Sequence, residues 1–186
     1  MSKILRVALA LTVVCALAAL GLSFVYVVTR GRIAEEAKRE LNEALTLVFP
    51  EGEEFASLNL TSLGVLPESK EVKFLEVYEA KKGGKREGLV VKVASTGYGG
   101  PIVLLVGVST EEGVITGIKV LEHQETPGLG SNVAEEAFLS QFLGKPLSSS
   151  FTVGEDIQAV SGATISSRAV ARACAKVAEL LREEGK

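Results

Sequence analysis

Three glycine-rich segments hold the residues whose types and spacing could do chemistry. They are Gly97-Tyr98-Gly99-Gly100-Pro101, His123-Gln124-Glu125-Thr126-Pro127-Gly128-Leu129-Gly130 and Ser161-Gly162-Ala163-Thr164. Each has a plain structural explanation: a hairpin turn, a loop entering a helix, a helix cap. Three of them in one small domain suggest more, because loops held on a rigid scaffold often carry function. Segment 161–164 has the most specific physics. It falls where a strand is expected to end and a helix to begin, and the unpaired N–H groups and positive dipole end of a helix favour a phosphate there. Ser161 fits the N-cap. Gly162 and Ala163 have almost no side chain, so a large group can approach the backbone closely. Thr164 offers a hydroxyl beside the phosphate position. The segment is not a Walker loop, since no GxxxxGK[ST] occurs in the chain, and it is not a nucleophile elbow, since GxSxG is absent. A hydrolase using Ser161 or Thr164 as nucleophile would need His123, the single histidine, as its base.

Composition narrows the classes further. The 186 residues carry a net charge of −3, so the basic footprint of a nucleic-acid-binding protein is missing. One His and two Cys cannot assemble a Cys/His zinc site in one chain, and Cys15 and Cys174 form neither a CxxC pair nor a disulfide scaffold. No metal site is expected.

The elements that must position the three segments begin with an anchor. Residues 7–28 contain no charge. As a helix they span roughly 33 Å, enough for a hydrocarbon core of about 30 Å. The apolar region of a cleaved signal peptide is shorter, about 7–15 residues. Lys3 and Arg6 precede the run and Arg30 and Arg32 follow it, so charge leaves its orientation undecided. Residues 31–48 carry Ile33, Leu41, Leu45 and Val48 at helical spacing, with Pro50 and Gly52 as stops. The expected organisation is a transmembrane anchor at 1–30, an amphipathic stalk helix at 31–50 and a folded domain at 51–186.

In that domain, 71–80, 88–95, 101–109 and 114–122 read as strands joined by short glycine turns, with Leu75 out of step. Such spacing predicts an antiparallel meander. A helix is expected at 133–143, a strand at 151–160, and a last helix from Ser161 or Gly162 to Gly185 with Ile165, Ala169, Ala173, Val177, Leu180 and Leu181 as its apolar stripe. Cys174 beside that stripe reads as a buried structural thiol. The fold class is α+β: a single N-terminal transmembrane helix plus an antiparallel β-meander packed with helices.

AVSGATISS at 159–167 resembles the flavinylation motif of the RnfG and NqrC subunits of membrane redox complexes. HQETPGLGS at 123–131 is similar to a segment of RnfG, and GYGGPI at 97–102 to its glycine-rich strand connection. The resemblance covers nearly the whole chain and implies a domain with FMN joined through its phosphate to Thr164 by a phosphoester bond. By the same resemblance Ser161, Gly162, Ala163, Tyr98, Gly99, Glu125, Thr126, Pro127, Gly128 and Leu129 bind the cofactor. A separate Mg-dependent flavin transferase would install the group from FAD and release AMP. This fits the chemistry, because a Thr hydroxyl is a weak nucleophile and the motif holds no base to activate it. The family motif has Asp three residues before the Ser; here Gln158 stands there, with Asp156 two residues earlier. The implied protein sits in the cytoplasmic (inner) membrane by one span, with its domain on the extracytoplasmic side. It relays electrons among the other membrane subunits of an Rnf-type complex that works between ferredoxin and NAD and moves Na⁺ or H⁺. The alternatives are an NqrC-like subunit of a Na⁺-translocating NADH:quinone reductase and a membrane-tethered ligand-binding module without redox chemistry.

Overall fold

The computed structural model of the chain describes residues 3–59 and 70–184. It divides into two compact units, Met1–Leu41 and Asn42–Lys186. Helix α1 runs unbroken from Lys3 to Val48, so its last turns belong to the second unit. The uncharged run is apolar on every side: Val13, Leu17, Leu20, Phe24 and Val27 each keep at least half of their surface exposed. Among the described residues, α1 is the one helix long and apolar enough to cross a membrane.

The second unit is built on a five-stranded antiparallel meander. Strands β1 (Glu54–Leu58), β2 (Val72–Lys82), β3 (Lys85–Thr96), β4 (Pro101–Ser109) and β5 (Val114–Glu122) pair in chain order. Gly83 and Gly84 both take positive φ, as a two-residue hairpin between β2 and β3 requires. Leu75 is the extra residue of a bulge: Phe74 pairs Val93 and Glu76 pairs Lys92, leaving Leu75 between them.

One sheet face, with Leu89, Val91, Val93, Leu104 and Val106, buries against helix α3 (Thr164–Glu184). Ala169, Ala173, Cys174, Val177 and Leu180 supply the helix side of that core. Burial pushes the Cys174 thiol well above its usual range, so it stays protonated and unreactive, as a structural thiol should. At the other face, the end of α1 buries Leu45 and Val48, with Phe49 following. Thr116 Oγ1 donates to the Val48 carbonyl at 2.9 Å, and a Cβ on Gly117 would fall on the Val48 backbone.

Several local expectations are corrected. Residues 133–143 do not form one helix. A 3-10 turn (Gly130–Ala134), the one-turn helix α2 (Glu136–Leu139) and a second 3-10 turn (Ser140–Phe142) follow each other, because Glu135 is extended at φ −73°, ψ 144°. Residues 151–160 are not a strand. Only one isolated bridge, Val153 to Ile157, forms there, inside a tight turn that buries Phe151 at φ 49°. Helix α3 begins at Thr164, so Ser161 is not its N-cap, and Ile165 is half exposed rather than part of the buried stripe. The short edge strand β1 has no counterpart among the expected strands, and the expected helix end at Gly185 lies outside the described residues.

Candidate functional site

The three glycine-rich segments come together, and Glu125 is what ties them. Its side chain is buried, with 5% of the residue exposed. Oε1 accepts the backbone N–H groups of Tyr98 at 2.9 Å and Gly99 at 3.0 Å, at the turn between β3 and β4. Oε2 accepts the hydroxyl of Ser166 at 2.6 Å, in the first turn of α3. One carboxylate on the 123–130 loop therefore holds the other two segments. Gly97 and Gly130 leave room for it: a Cβ on either would land on a Glu125 oxygen. Buried carboxylates are tolerated when their oxygens are this fully hydrogen-bonded.

Between the loops lies a cleft of about 430 Å³, lined by Tyr98, Glu125, Thr126, Leu129, Gly130, Gly162, Ala163, Thr164, Ile165 and Ser166. Tyr98, Leu129 and Ile165 keep 74%, 51% and 51% of their surface exposed, so large apolar groups stand unpacked around it. The hydroxyls divide sharply. Ser166 and Ser167 are buried, Ser166 bonded to Glu125 and Ser167 both accepting the Val160 N–H and donating to the Ala163 carbonyl. Thr164 is exposed and lines the cleft. Ser161 is exposed but lies outside the lining, as do Gly99, Pro127 and Gly128. His123 is exposed, and its Nδ1 accepts the Glu125 N–H at 3.3 Å, which shapes the loop rather than facing the cleft.

Sequence reasoning missed Ser166, Gly130 and Ile165 as parts of the site. Ser166 and Ile165 follow directly on the 161–164 segment, and a serine beside the apolar positions of a helix was the available signal for a buried polar contact.

Asp156, the acid near the motif, is committed elsewhere. It accepts the N–H groups of Phe151 at 3.0 Å and Thr152 at 2.6 Å and lies 3.9 Å from Lys145 Nζ. Burial alone would raise its carboxyl, but the hydrogen bonds from Thr152, Ser150 and Phe151 and the Lys145 charge outweigh it, so the group sits below its usual range. A depressed carboxyl stabilises the fold above its unfolded value, about 3.9, and that contribution is lost as pH falls through the folded value. Asp156→Asn is therefore expected to be less stable than the parent chain at neutral pH, with the gap narrowing below about pH 4. Chemical denaturation across a pH series reads this directly.

A fold of this kind, with a threonine hydroxyl at an apolar cleft on a helix N-terminus, is that of a flavin-carrying domain, and residues 97–179 match the FMN-binding domain family. The RnfG protein of the proton-translocating ferredoxin:NAD(+) oxidoreductase complex from Clostridium ljungdahlii is 31% identical over 175 residues, covering 91% of this chain and 86% of that one. Its counterpart in the Na(+)-translocating complex of Acetobacterium woodii is 33% identical over 180 residues, covering 90% and 86%. This chain belongs to the RnfG family of ion-translocating ferredoxin:NAD(+) oxidoreductase complexes. The crystal structure of Shewanella oneidensis NqrC shares the fold, with a TM-score of 0.61 at 20% identity over 81% of this chain and 99% of that one.

Proposed function

We propose that this chain is a membrane-anchored electron carrier whose FMN is esterified to Thr164. It would serve a complex that passes electrons between ferredoxin and NAD and couples their flow to Na⁺ or H⁺ movement. The observation that carries this reading is the exposed Thr164 hydroxyl in the lining of the apolar cleft. FMN, when bound, supplies one- or two-electron transfer. The chain's own residues supply attachment and surroundings. Tyr98, Leu129 and Ile165 offer apolar surface to a ring, and Gly162 and Ala163 let it approach the backbone. Glu125 keeps the three loops in register, which places Thr126 and Leu129 opposite Thr164. Gly99, Pro127 and Gly128 act through the shape of their loops, and Ser161 through the approach to Gly162.

A separate flavin transferase is needed, because the only histidine is occupied in its own loop and no base adjoins Thr164. Gln158 stands where the family motif has Asp, and Asp156 cannot replace it while it holds the 151–157 turn. Ions would cross through other membrane subunits, since residues 7–28 offer no charged side chain. The soluble domain is assigned to the extracytoplasmic side of the cytoplasmic membrane.

Mass spectrometry of the membrane protein tests the reading. The peptide containing Thr164 should be heavier by FMN minus one water. An unmodified peptide from cells that make the transferase would leave a tethered ligand-binding module in its place.

A further inference from the structure

Thr164 stands between two depressions. On one side is the apolar cleft of Tyr98, Leu129 and Ile165; on the other is a groove of about 540 Å³ whose lining includes Thr164, Gln141, Glu155, Asp156, Gln158 and Arg168. Arg168 is exposed, and among the described residues no ion pair or hydrogen bond engages it. It sits one helical turn after Thr164, so the two Cβ atoms are about 5–6 Å apart on one face. Long side chains on a helix lean back over the preceding turn, which carries the guanidinium toward Thr164.

The placement is unfavourable in the chain alone. The first turn of α3 contains no acidic residue, and a cation close behind it faces the positive end of the helix dipole. The nearby carboxylates do not relieve this. Glu125 lies in the other cleft with its oxygens taken by Tyr98, Gly99 and Ser166. Asp156 is held by backbone N–H groups and Lys145. Glu155 is the one acid of the groove left to compete.

We infer that Arg168 is a positioning residue that grips the phosphodiester formed on the Thr164 hydroxyl, an inference that rests on the proposed attachment at Thr164. A phosphodiester carries one negative charge, and a guanidinium matches its two outer oxygens with paired N–H donors. With those oxygens turned into the polar groove, the rest of the flavin is directed the other way, over Leu129 and Ile165. Arg168 thereby sets which side of Thr164 the ring occupies.

The test compares parent, Arg168→Gln, Arg168→Lys and Glu155→Gln chains, each made with a flavin transferase. The readouts are the mass of the Thr164 peptide, circular dichroism and the phosphorus NMR resonance of the loaded protein. Loaded Arg168→Gln should show a displaced, narrower phosphorus line and lose FMN to a phosphodiesterase on the order of tenfold faster, as loss of a charge-assisted pair implies. Arg168→Lys should recover part of both effects, and Glu155→Gln should leave the resonance in place. An unchanged resonance in Arg168→Gln overturns the inference. If Arg168→Gln folds but stays unloaded, loading of Arg168→Lys supports the phosphate contact; failure of both assigns Arg168 to recognition by the transferase and overturns it. A parent chain unmodified at Thr164 refutes the attachment itself, a result distinct from all of these.

Discussion

A Thr164→Ala chain made beside an active flavin transferase is expected to emerge colourless and unmodified. The parent chain should give a fluorescent band after denaturing electrophoresis. The loss should be complete rather than partial, because no neighbouring hydroxyl can substitute. Ser166 and Ser167 are buried and hydrogen-bonded, and Ser161 lies outside the cleft. Thr164→Ser, which keeps a hydroxyl at the same position, should retain a band. The alanine variant should still fold. Thr164 is an exposed first residue of α3, and surface changes of that sort usually move stability by no more than about 0.5 kcal/mol. Attachment that persists in Thr164→Ala, found on any serine of the segment, would show that the assignment is wrong.

Glu125→Ala is the change expected to cost most in stability. It strands two backbone N–H groups and one buried hydroxyl at once, those of Tyr98, Gly99 and Ser166. Hydrogen bonds to a charged acceptor are worth about 1.5–3 kcal/mol each, and their losses overlap within one network, so a destabilisation of about 3 kcal/mol is expected. Glu125→Gln separates charge from geometry. Its amide oxygen can still accept from Tyr98 and Gly99 while its NH₂ donates to the Ser166 oxygen, so the cost should fall to about 1 kcal/mol. Denaturant melts measure both. Loading at Thr164 should follow the same order, since without Glu125 the three loops are no longer fixed against one another. Equal melts for Glu125→Ala and the parent would mean that the loops are held by something other than this carboxylate.

The meander is legible in the sequence because its strands alternate and its turns carry glycine; even the misfit of Leu75 points to a real bulge. The three segments are legible as candidates, because short glycine-rich runs between regular elements have few other reasons to exist. What brings them together is not. Glu125 and Ser166 are 41 residues apart, and nothing local to either announces the other. The 151–160 run misleads for a related reason. Its apolar residues, Phe151, Val153 and Ile157, suit a strand by type. Asp156, however, gathers the backbone N–H groups of Phe151 and Thr152, and side-chain capping of this sort competes with sheet pairing. Helical spacing places Ile165 near the apolar stripe; its exposure follows from standing at the very start of α3, beside the cleft. Strand β1 gives too weak a signal, being five residues long and exposed or half-exposed throughout.

The closing turn of α1 works as a plug as well as a tether. Leu45, Val48 and Phe49 stop one side of the sheet, and Gly117 has no side chain so that Val48 can seat there. The border of the independently folding piece thus runs through the middle of a helix. A water-soluble version trimmed just before Asn42 keeps its stopper, whereas one trimmed after Pro50 uncorks that side of the sheet and invites self-association through the bared strands.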